Sequence, residues 1–414
     1  MFDRPGRCAQ PGKVADRGRA VTNATTGLAL RGLRLNPGAV DAAGLAAWRD
    51  LADRAAEPNP FFRPEFLLAN VIERGLSVAL LVVMDGPRWV ACLPVRSQRP
   101  TPRFPLSSIT ALTDQYNFSG LPLLDRDSPD AAADALIALV RTERRAVVLL
   151  IGVFESNGPV GRALARAAAR SGTRLTKLAS FQRGGWRRMS ERHFPGPAVH
   201  ASERRKLARR ARLLAAELGG ELAVVDRTHD PAAWEEFLAM ENLGWKADLG
   251  TAMGSTAGDT AFFRRMCAGM SAVGCLELVS LEVAGRSVAM ECHLIDGPAL
   301  WSFKIAHNPA YAWFSPGTQL KYRVLDGLYD RAIDLADSCA VPENAHSNRL
   351  WPDRRTMDTV MLPTGSPVAR LVPSILWGRS VARKVLDRIA QRRARRATAP
   401  LDIPAGRAGD PGQA

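Results

Sequence analysis

The order of patterned segments limits the fold of this chain more than any single motif, because the same order occurs twice. From residue 27 a short strand, GLALRGLRL, precedes a helix, VDAAGLAAWRDLADRAA, whose apolar residues recur at three- and four-residue spacing. That spacing stacks them on one helix face. A second helix, NPFFRPEFLLANVIERG, is entered through Asn59-Pro60 and Pro64, where a first-turn proline gives up an N–H that no helix bond needs. Two apolar runs then flank Asp85-Gly86, a hairpin signal because both residues tolerate positive φ. The extended stretch SSITALTDQYNFSGLPLL, the helix SPDAAADALIALVRTE, the strand AVVLLIGVF and the helix PVGRALARAAARSG complete this half.

After ERHFPGPAVHA (191–201) and a basic helix, SERRKLARRARLLAAELG, the pattern returns. A strand, ELAVVDR, leads to a helix with Asp230 as its N-cap and Pro231 in its first turn, then to the helix DTAFFRRMCAGMSAVG. Three strands follow, turning at Ala284-Gly285 and Asp296-Gly297. The helix GTQLKYRVLDGLYDRA, the strand IDLADSC and a stretch to about Pro363 close the half. The repetition is in element order, not in residues. It predicts two copies of one mixed α/β fold over 27–190 and 220–363. Residues 191–219 are a linker and basic helix, 1–26 a disordered basic tail, and 364–414 a basic tail with an amphipathic helix.

A chain of 414 residues that is 46% hydrophobic can bury a sizeable core, but its net charge of +15 raises the question of nucleic acid. The location of the charge argues against a DNA-binding stripe. Residues 1–34 hold seven Lys/Arg against two Asp, residues 379–414 hold nine against three, and SERRKLARRAR holds six against one Glu. The remaining body is close to neutral, so no specific DNA binding is expected. No uncharged apolar run of about 18 residues occurs, which predicts no transmembrane helix. The N-terminal twenty residues lack the apolar centre of a secretory signal. Six cysteines without a C-x-x-C pair point to a reduced, cytoplasmic protein, and scattered histidines without H-E-x-x-H point to no metal.

Several stretches carry a resemblance. They are NPFFRPEF (59–66), ENLGWKADLGTAM (241–253), FFRRM (262–266), LEVAGRSVAMECHL (281–294), WSFKIAHNPAYAWFSPGTQL (301–320) and the Leu350-Trp351 pair. Together they resemble the acyltransferases of the CelD-like, cellulose-biosynthesis family within the GCN5-related N-acetyltransferase (GNAT) superfamily. They are also similar to Fem aminoacyltransferases, which have two GNAT-like lobes. The resemblance implies an α/β fold of two tandem GNAT-like mixed-sheet lobes. It also implies an acyl-CoA-dependent N-acyltransferase that moves an acyl group, acetyl being the simplest, to an amine by direct attack. The acceptor it suggests is an amino sugar or a cell-envelope or exopolysaccharide precursor.

In such a fold the turn before the Gly317 helix faces the pyrophosphate of acetyl-CoA. The physics supports this placement, since free amides at a helix start and the partial positive charge there attract phosphate. Ser315, Pro316, Gly317, Thr318 and Gln319 are therefore the cofactor-binding candidates, although the Q/R-x-x-G-x-G/A loop usual in the superfamily is absent. Glu241 and Asp337 are candidate bases, and Tyr311 is a candidate to protonate the thiolate. Lys304 lies in the apolar strand LWSFKIA, where an unpaired ammonium is costly to bury. Strand alternation puts Ser302, Lys304 and Ala306 on one face, toward a cleft. Trp245, Lys246, His307, Asp114 and Tyr116 are substrate-contact candidates, the last two from the polar loop TDQYNFSG (113–120). Relatives often carry Y-K-x-x-W near the end, where this chain has SNRLW, with Ser347 and Asn348 at the first two positions.

Two other readings stay open. A Fem-like aminoacyl transferase would use charged tRNA, with the basic helix on RNA phosphate. A degenerate GNAT pair would act as a scaffold in polysaccharide synthesis. The C-terminal tail carries its own expectation. RSVARKVLDRIAQRRARR (379–396) sets Val381, Val385, Leu386 and Ile389 near one helical face among arginines. Such a helix binds an anionic membrane surface weakly, each basic residue adding about 1 kcal/mol. Deleting residues 379–414 should abolish sedimentation with acidic liposomes at low salt and leave acyl transfer to a soluble acceptor unchanged.

Overall fold

The computed structural model describes residues 19–20, 30–101, 106–189, 191, 201–244, 250 and 252–372. Met1–Ser366 and Pro367–Ala414 are separate units. In the second, the described residues hold one 3-10 turn, Pro367–Leu371. Most of the N-terminal tail, most of the 191–201 linker, Trp245, Lys246 and the 379–396 segment lie outside the described residues.

The first half contains Arg19–Ala20 (β1), Arg31–Leu35 (β2), Ala42–Asp53 (α1), Pro64–Glu73 (α2), Ala79–Asp85 (β3) and Arg88–Gln98 (β4). It continues with Ser108–Ala111 (β5), Leu123–Leu124 (β6), Pro129–Val140 (α3), Val148–Phe154 (β7), Pro159–Arg170 (α4) and Thr176–Arg187 (β8). The second half contains Ala201–Leu218 (α5), Leu222–Asp226 (β9), Pro231–Asn242 (α6), Ala257–Ala272 (α7), Leu276–Val283 (β10) and Arg286–Asp296 (β11). It ends with Ala299–His307 (β12), Pro316–Gly327 (α8), Leu335–Asp337 (β13), Ala345–Leu350 (α9) and Asp353–Pro363 (β14).

The local signals read from the sequence are in place. Asp230 accepts a hydrogen bond from the Ala232 amide at 2.9 Å, capping α6. The hairpins turn at Gly86, at Ala284-Gly285 and at Gly297, all at positive φ. The repeated element order is also real, and the sheet displays it. Its strand order is β1-β2-β3-β4-β5-β7-β14-β8-β13-β12-β11-β10-β9, with β6 pairing β4 off this path. Apart from β1 and β6, the order is a palindrome about the β14–β8 pair. Each half has exchanged its last strand: β8 pairs β13 of the second half, and β14 pairs β7 of the first. The two lobes therefore share one sheet.

The lobes also share a core. Phe66 of α2 meets Phe262 of α7 edge-on at 5.4 Å and Phe303 of β12 at 5.8 Å, and Phe61 meets Trp301 at 6.4 Å. Beside this aromatic seam, buried Arg63 donates to buried Asp296 at 2.7 Å and also pairs with exposed Asp53. Arg74 joins Asp114 and Asp259, each at 2.9 Å.

The lobes differ at the end of one strand pair. In each, a parallel strand pair parts partway along. Where β5 leaves β7 after Thr110↔Leu150, the TDQYNFSG loop takes over, and Gly120 donates to the Gly152 carbonyl at 3.0 Å. A Cβ at Gly120 would lie 2.5 Å from that carbonyl oxygen, so only glycine allows the approach. The β12–β13 ladder stops at Trp301↔Asp337, and beyond it a cleft opens.

One guanidinium with a buried and an exposed carboxylate allows a clean comparison. Asp296→Ala leaves Arg63 buried without its inner partner and should cost about 3 kcal/mol or more. Asp53→Ala removes a solvated partner and should cost less than about 1 kcal/mol. Urea unfolding of the two variants checks the difference.

Candidate active site

The opening between β12 and β13 is a cleft of about 600 Å³, a size that suits a small-molecule ligand. Three elements build it. One wall is β12 from Ser302 to His307, the facing wall is Ser338–Ala340 after β13, and the start of α8 closes one end. Glu241 and Met240, at the C-terminal end of α6, also line it.

A β-bulge sets the side chains of β12. Cys292 of β11 pairs with Lys304, but the next residue, His293, pairs with Ser302, so Phe303 is an extra residue. A bulge shifts the alternation by one. Phe303 packs on Phe66 and Phe118, and Lys304 sets its ammonium 4.7 Å from the centre of the Tyr116 ring. Ser302 instead meets Lys321 of α8. Alternation had predicted that Ser302 and Lys304 share a face; the bulge turns them to different neighbours, though both reach the cleft.

The helix start has the expected geometry with one change. Ser315 sits at φ +56, a region non-glycine residues seldom adopt, and its hydroxyl does not cap the helix. Its oxygen accepts instead from Arg210 of the basic helix α5 at 2.7 Å. The guanidinium also lies 5.4 Å from the exposed Trp313 ring. The first amide of α8 bonded within the helix is that of Gln319, to Ser315 O at 3.1 Å. Gly317 and Thr318 lie upstream of that bond and line the cleft with Pro316 and Ser315. Gln319 does not line it: its side chain is buried and donates to Phe314 O at 2.9 Å. A partial positive helix end and a guanidinium thus meet at the mouth of the cleft.

Of the remaining candidates, Glu241 and His307 also line the cleft. Glu241 is buried, and its Oε2 accepts from the Met253 amide at 2.9 Å. Three candidates are placed elsewhere. Asp337 is buried in the seam between the lobes. Its Oδ1 accepts from the Cys339 amide at 2.7 Å and from Arg183, and its Oδ2 accepts from Arg355 at 2.5 Å. Its lone pairs are committed to that seam, which does not suit a base. Tyr311 packs on the cluster around Phe314 and Leu320, and its hydroxyl accepts from Arg286 at 3.2 Å. Asp114 closes its own loop by accepting from the Tyr116 and Asn117 amides at 2.8 and 2.9 Å. Tyr116 is buried against Phe262 and meets the site through Lys304; burial pushes its hydroxyl pKa up.

The sequence reading missed a buried polar group under the cleft: Lys321, Glu291 and His293. Lys321 is buried and lines the cleft. It donates to Ser302 Oγ at 2.6 Å, pairs with Glu291, and lies 5.2 Å from the Trp351 ring. Relatives suggested a lysine just before Trp351. Here Asn348 stands there and binds Gly184 N and Val341 O, while the ammonium beside Trp351 comes from α8. A signal was available in AMECHL. Two ionisable residues two apart in an apolar strand share a face and need buried partners. Cys339 also lines the cleft, but burial holds its thiol pKa well above the ordinary value, so it is a poor nucleophile.

Residues 201–344 match the family model described as an acetyltransferase (GNAT) domain. That segment contains every cleft-lining residue except Leu350. The fold is thus α/β, with two tandem GNAT-like lobes in one mixed sheet. No curated protein matches the chain. Among solved structures, FemX is 10% identical, overlaps 79% of this chain and 98% of its own, and has a TM-score of 0.48. A conserved protein of unknown function from Bacteroides thetaiotaomicron VPI-5482 is 12% identical over 77% of this chain and 97% of its own, TM-score 0.48. A tandem GNAT protein from the clavulanic acid biosynthesis pathway is 16% identical over 82% and 99%, TM-score 0.39. Among the described residues no cluster of His, Cys, Asp or Glu is arranged to hold a metal ion, and no helix is long and apolar enough to cross a membrane.

Gly317 gives a test of the expected cofactor-binding role of this turn. A Cβ there would meet Ile305 Cδ1 at 3.5 Å and His307 Nδ1 at 3.9 Å, ordinary contacts with two cleft-lining residues. The fold does not need glycine at this position. Gly317→Ala should leave the free protein as stable or up to about 1 kcal/mol more stable. It should at the same time reduce the thermal stabilisation by acetyl-CoA, as melting with and without the ligand will show.

Proposed function

We propose that this protein is an N-acyltransferase that takes an acyl group, acetyl in the simplest case, from acyl-CoA and passes it to an amine. One observation carries the reading: the β12–β13 ladder stops at the point where the start of α8, with Gly317 and Arg210, makes one end of the cleft electropositive. The diphosphate of acyl-CoA suits that end, and its thioester then reaches between the strands. Glu241, Lys304 and His307 line the same cleft, where they would bind and orient an amine. The amine attacks the thioester carbonyl directly, because the cleft thiol, Cys339, is held protonated by burial.

The narrower resemblance to CelD-like proteins rests on the motifs quoted above. With it goes the proposal that the acceptor is an amino sugar or a precursor of the cell envelope or exopolysaccharide. A cytoplasmic protein touching the inner membrane face through its basic tail fits that acceptor.

Incubation with acetyl-CoA and pooled amino sugars and small amines, followed by mass spectrometry, should give a product heavier by one acetyl group and free thiol in equal amount. Glu241→Gln should lower turnover at least tenfold. Absence of both coenzyme A binding at millimolar concentration and turnover would overturn the reading. Salt-sensitive binding of aminoacyl-tRNA in their place would favour a Fem-like transferase.

A further inference from the structure

Beneath the cleft runs a line of ionisable side chains that the reading above does not use. It begins at Lys321 Nζ, which donates to Ser302 Oγ at 2.6 Å and pairs with Glu291. Ser302 in turn donates to Glu291 Oε1 at 2.6 Å. The same oxygen lies 3.1 Å from His293 Nε2, and His293 Nδ1 lies 2.7 Å from Glu277 Oε2. Arg331 closes the line on Glu277 Oε1 at 2.8 Å. Lys321, Glu291 and His293 are buried, while Glu277 and Arg331 reach the surface. Glu291 Oε2 is buried without a hydrogen-bond partner.

A line of this kind is costly to bury, and hydrophobic residues of similar volume would pack the same space without that cost. Its inner end opens on the cleft, because Lys321 and Ser302 are lining residues. We propose that Lys321 is the group that takes the proton from the acceptor amine, and that Glu291, His293 and Glu277 are positioning residues that set its charge. This rests on the acyl-transfer reading and deepens it. The amine lone pair forms the N–C bond and the C–S bond breaks toward sulfur. The nitrogen's proton passes to neutral Lys321, and the ammonium so formed gives it to the departing thiolate. An amide and a thiol leave, and Lys321 is neutral again.

The surroundings suit that cycle. Burial pushes the Lys321 ammonium down to about 7; a paired carboxylate favours the charged form of an ammonium, so Glu291 opposes that push. The other titratable group facing it is the Cys339 thiol, from the segment after β13. Behind Glu291, burial pushes Glu277 up, but the hydrogen bond and charge of His293 and the charge of Arg331 outweigh it and hold the carboxyl at about 2. Glu277 thus remains a fixed negative charge at neutral pH. Removing the negative charge of Glu291 takes away a partner that favours the ammonium, so the Lys321 pKa should fall.

The test uses the full chain. Acetic anhydride labelling from pH 5.5 to 9, mapped by mass spectrometry, reads the titration of Lys321 without needing turnover. The same protein is then assayed with acetyl-CoA and an accepted amine. The labelling midpoint should coincide with the acid limb of kcat/KM, and both should move down by about one unit or more in Glu291→Gln. Lys321→Met should cut kcat at least 100-fold and change acetyl-CoA affinity less than threefold. If the single variant does not fold, Lys321→Met with Glu291→Gln removes both charges and is assayed in its place. Turnover within threefold of the parent in a folded Lys321→Met variant, or in that double variant, overturns the proposal alone. So does an acid limb that stays while the labelling midpoint moves. A chain that neither binds acetyl-CoA nor turns over overturns the acyl-transfer reading and this proposal with it.

Discussion

The exchange of closing strands is the constraint on which the rest of the structure depends. β8 cannot finish its own lobe, because its hydrogen-bonding edges are taken by β14 and β13 of the other. The exchange merges two half-sheets and brings α2 of one lobe against α7 of the other. It also draws Arg183 and Arg355 onto Asp337, where the second lobe's ladder comes to its end. Both guanidiniums come from exchanged strands. They fix the carboxylate at the last paired residue of β13, so the point at which the sheet parts is held by one arginine from each lobe.

Two lobes with the same element order have opposite fates at that point. The loop after β5 folds back, and Gly120 continues the hydrogen bonding along β7 at Gly152. The space that stays open in the second lobe is thus filled in the first. The closing loop is not idle, for it carries the Tyr116 ring to the Lys304 ammonium. One lobe has become a support for the other's cleft.

Local features were legible in the sequence, and features depending on distant pairing were not. Hairpin turns at Asp85-Gly86 and Asp296-Gly297 and the Asp230 cap are decided within a few residues, and each formed as read. The turn at Ser315 to Gly317, read as a cofactor-binding loop, lines the cleft, and the hydroxyl's partner was out of reach of local pattern because Arg210 is 105 residues away. Asp337 looked like a strand-end base, and only the exchanged strands reveal the two arginines on it. Lys304 reaches the cleft with Ser302, but their different neighbours follow from the Phe303 bulge, which no local pattern shows because it is set by the register against β11. Lys321 was not singled out in the sequence, because only the packing of α8 beneath the sheet sets it beside Glu291 and Ser302.

The exchanged strands also separate the order of synthesis from the order of folding. Gln182 on β8 bonds Thr356 on β14, 174 residues later. At ordinary translation rates that interval is about 10–35 s. For that time the first lobe emerges with a strand whose two neighbours have not yet been made, and an unpaired strand edge is open to other chains. The lobe that looks self-contained in the sequence is therefore the one that waits.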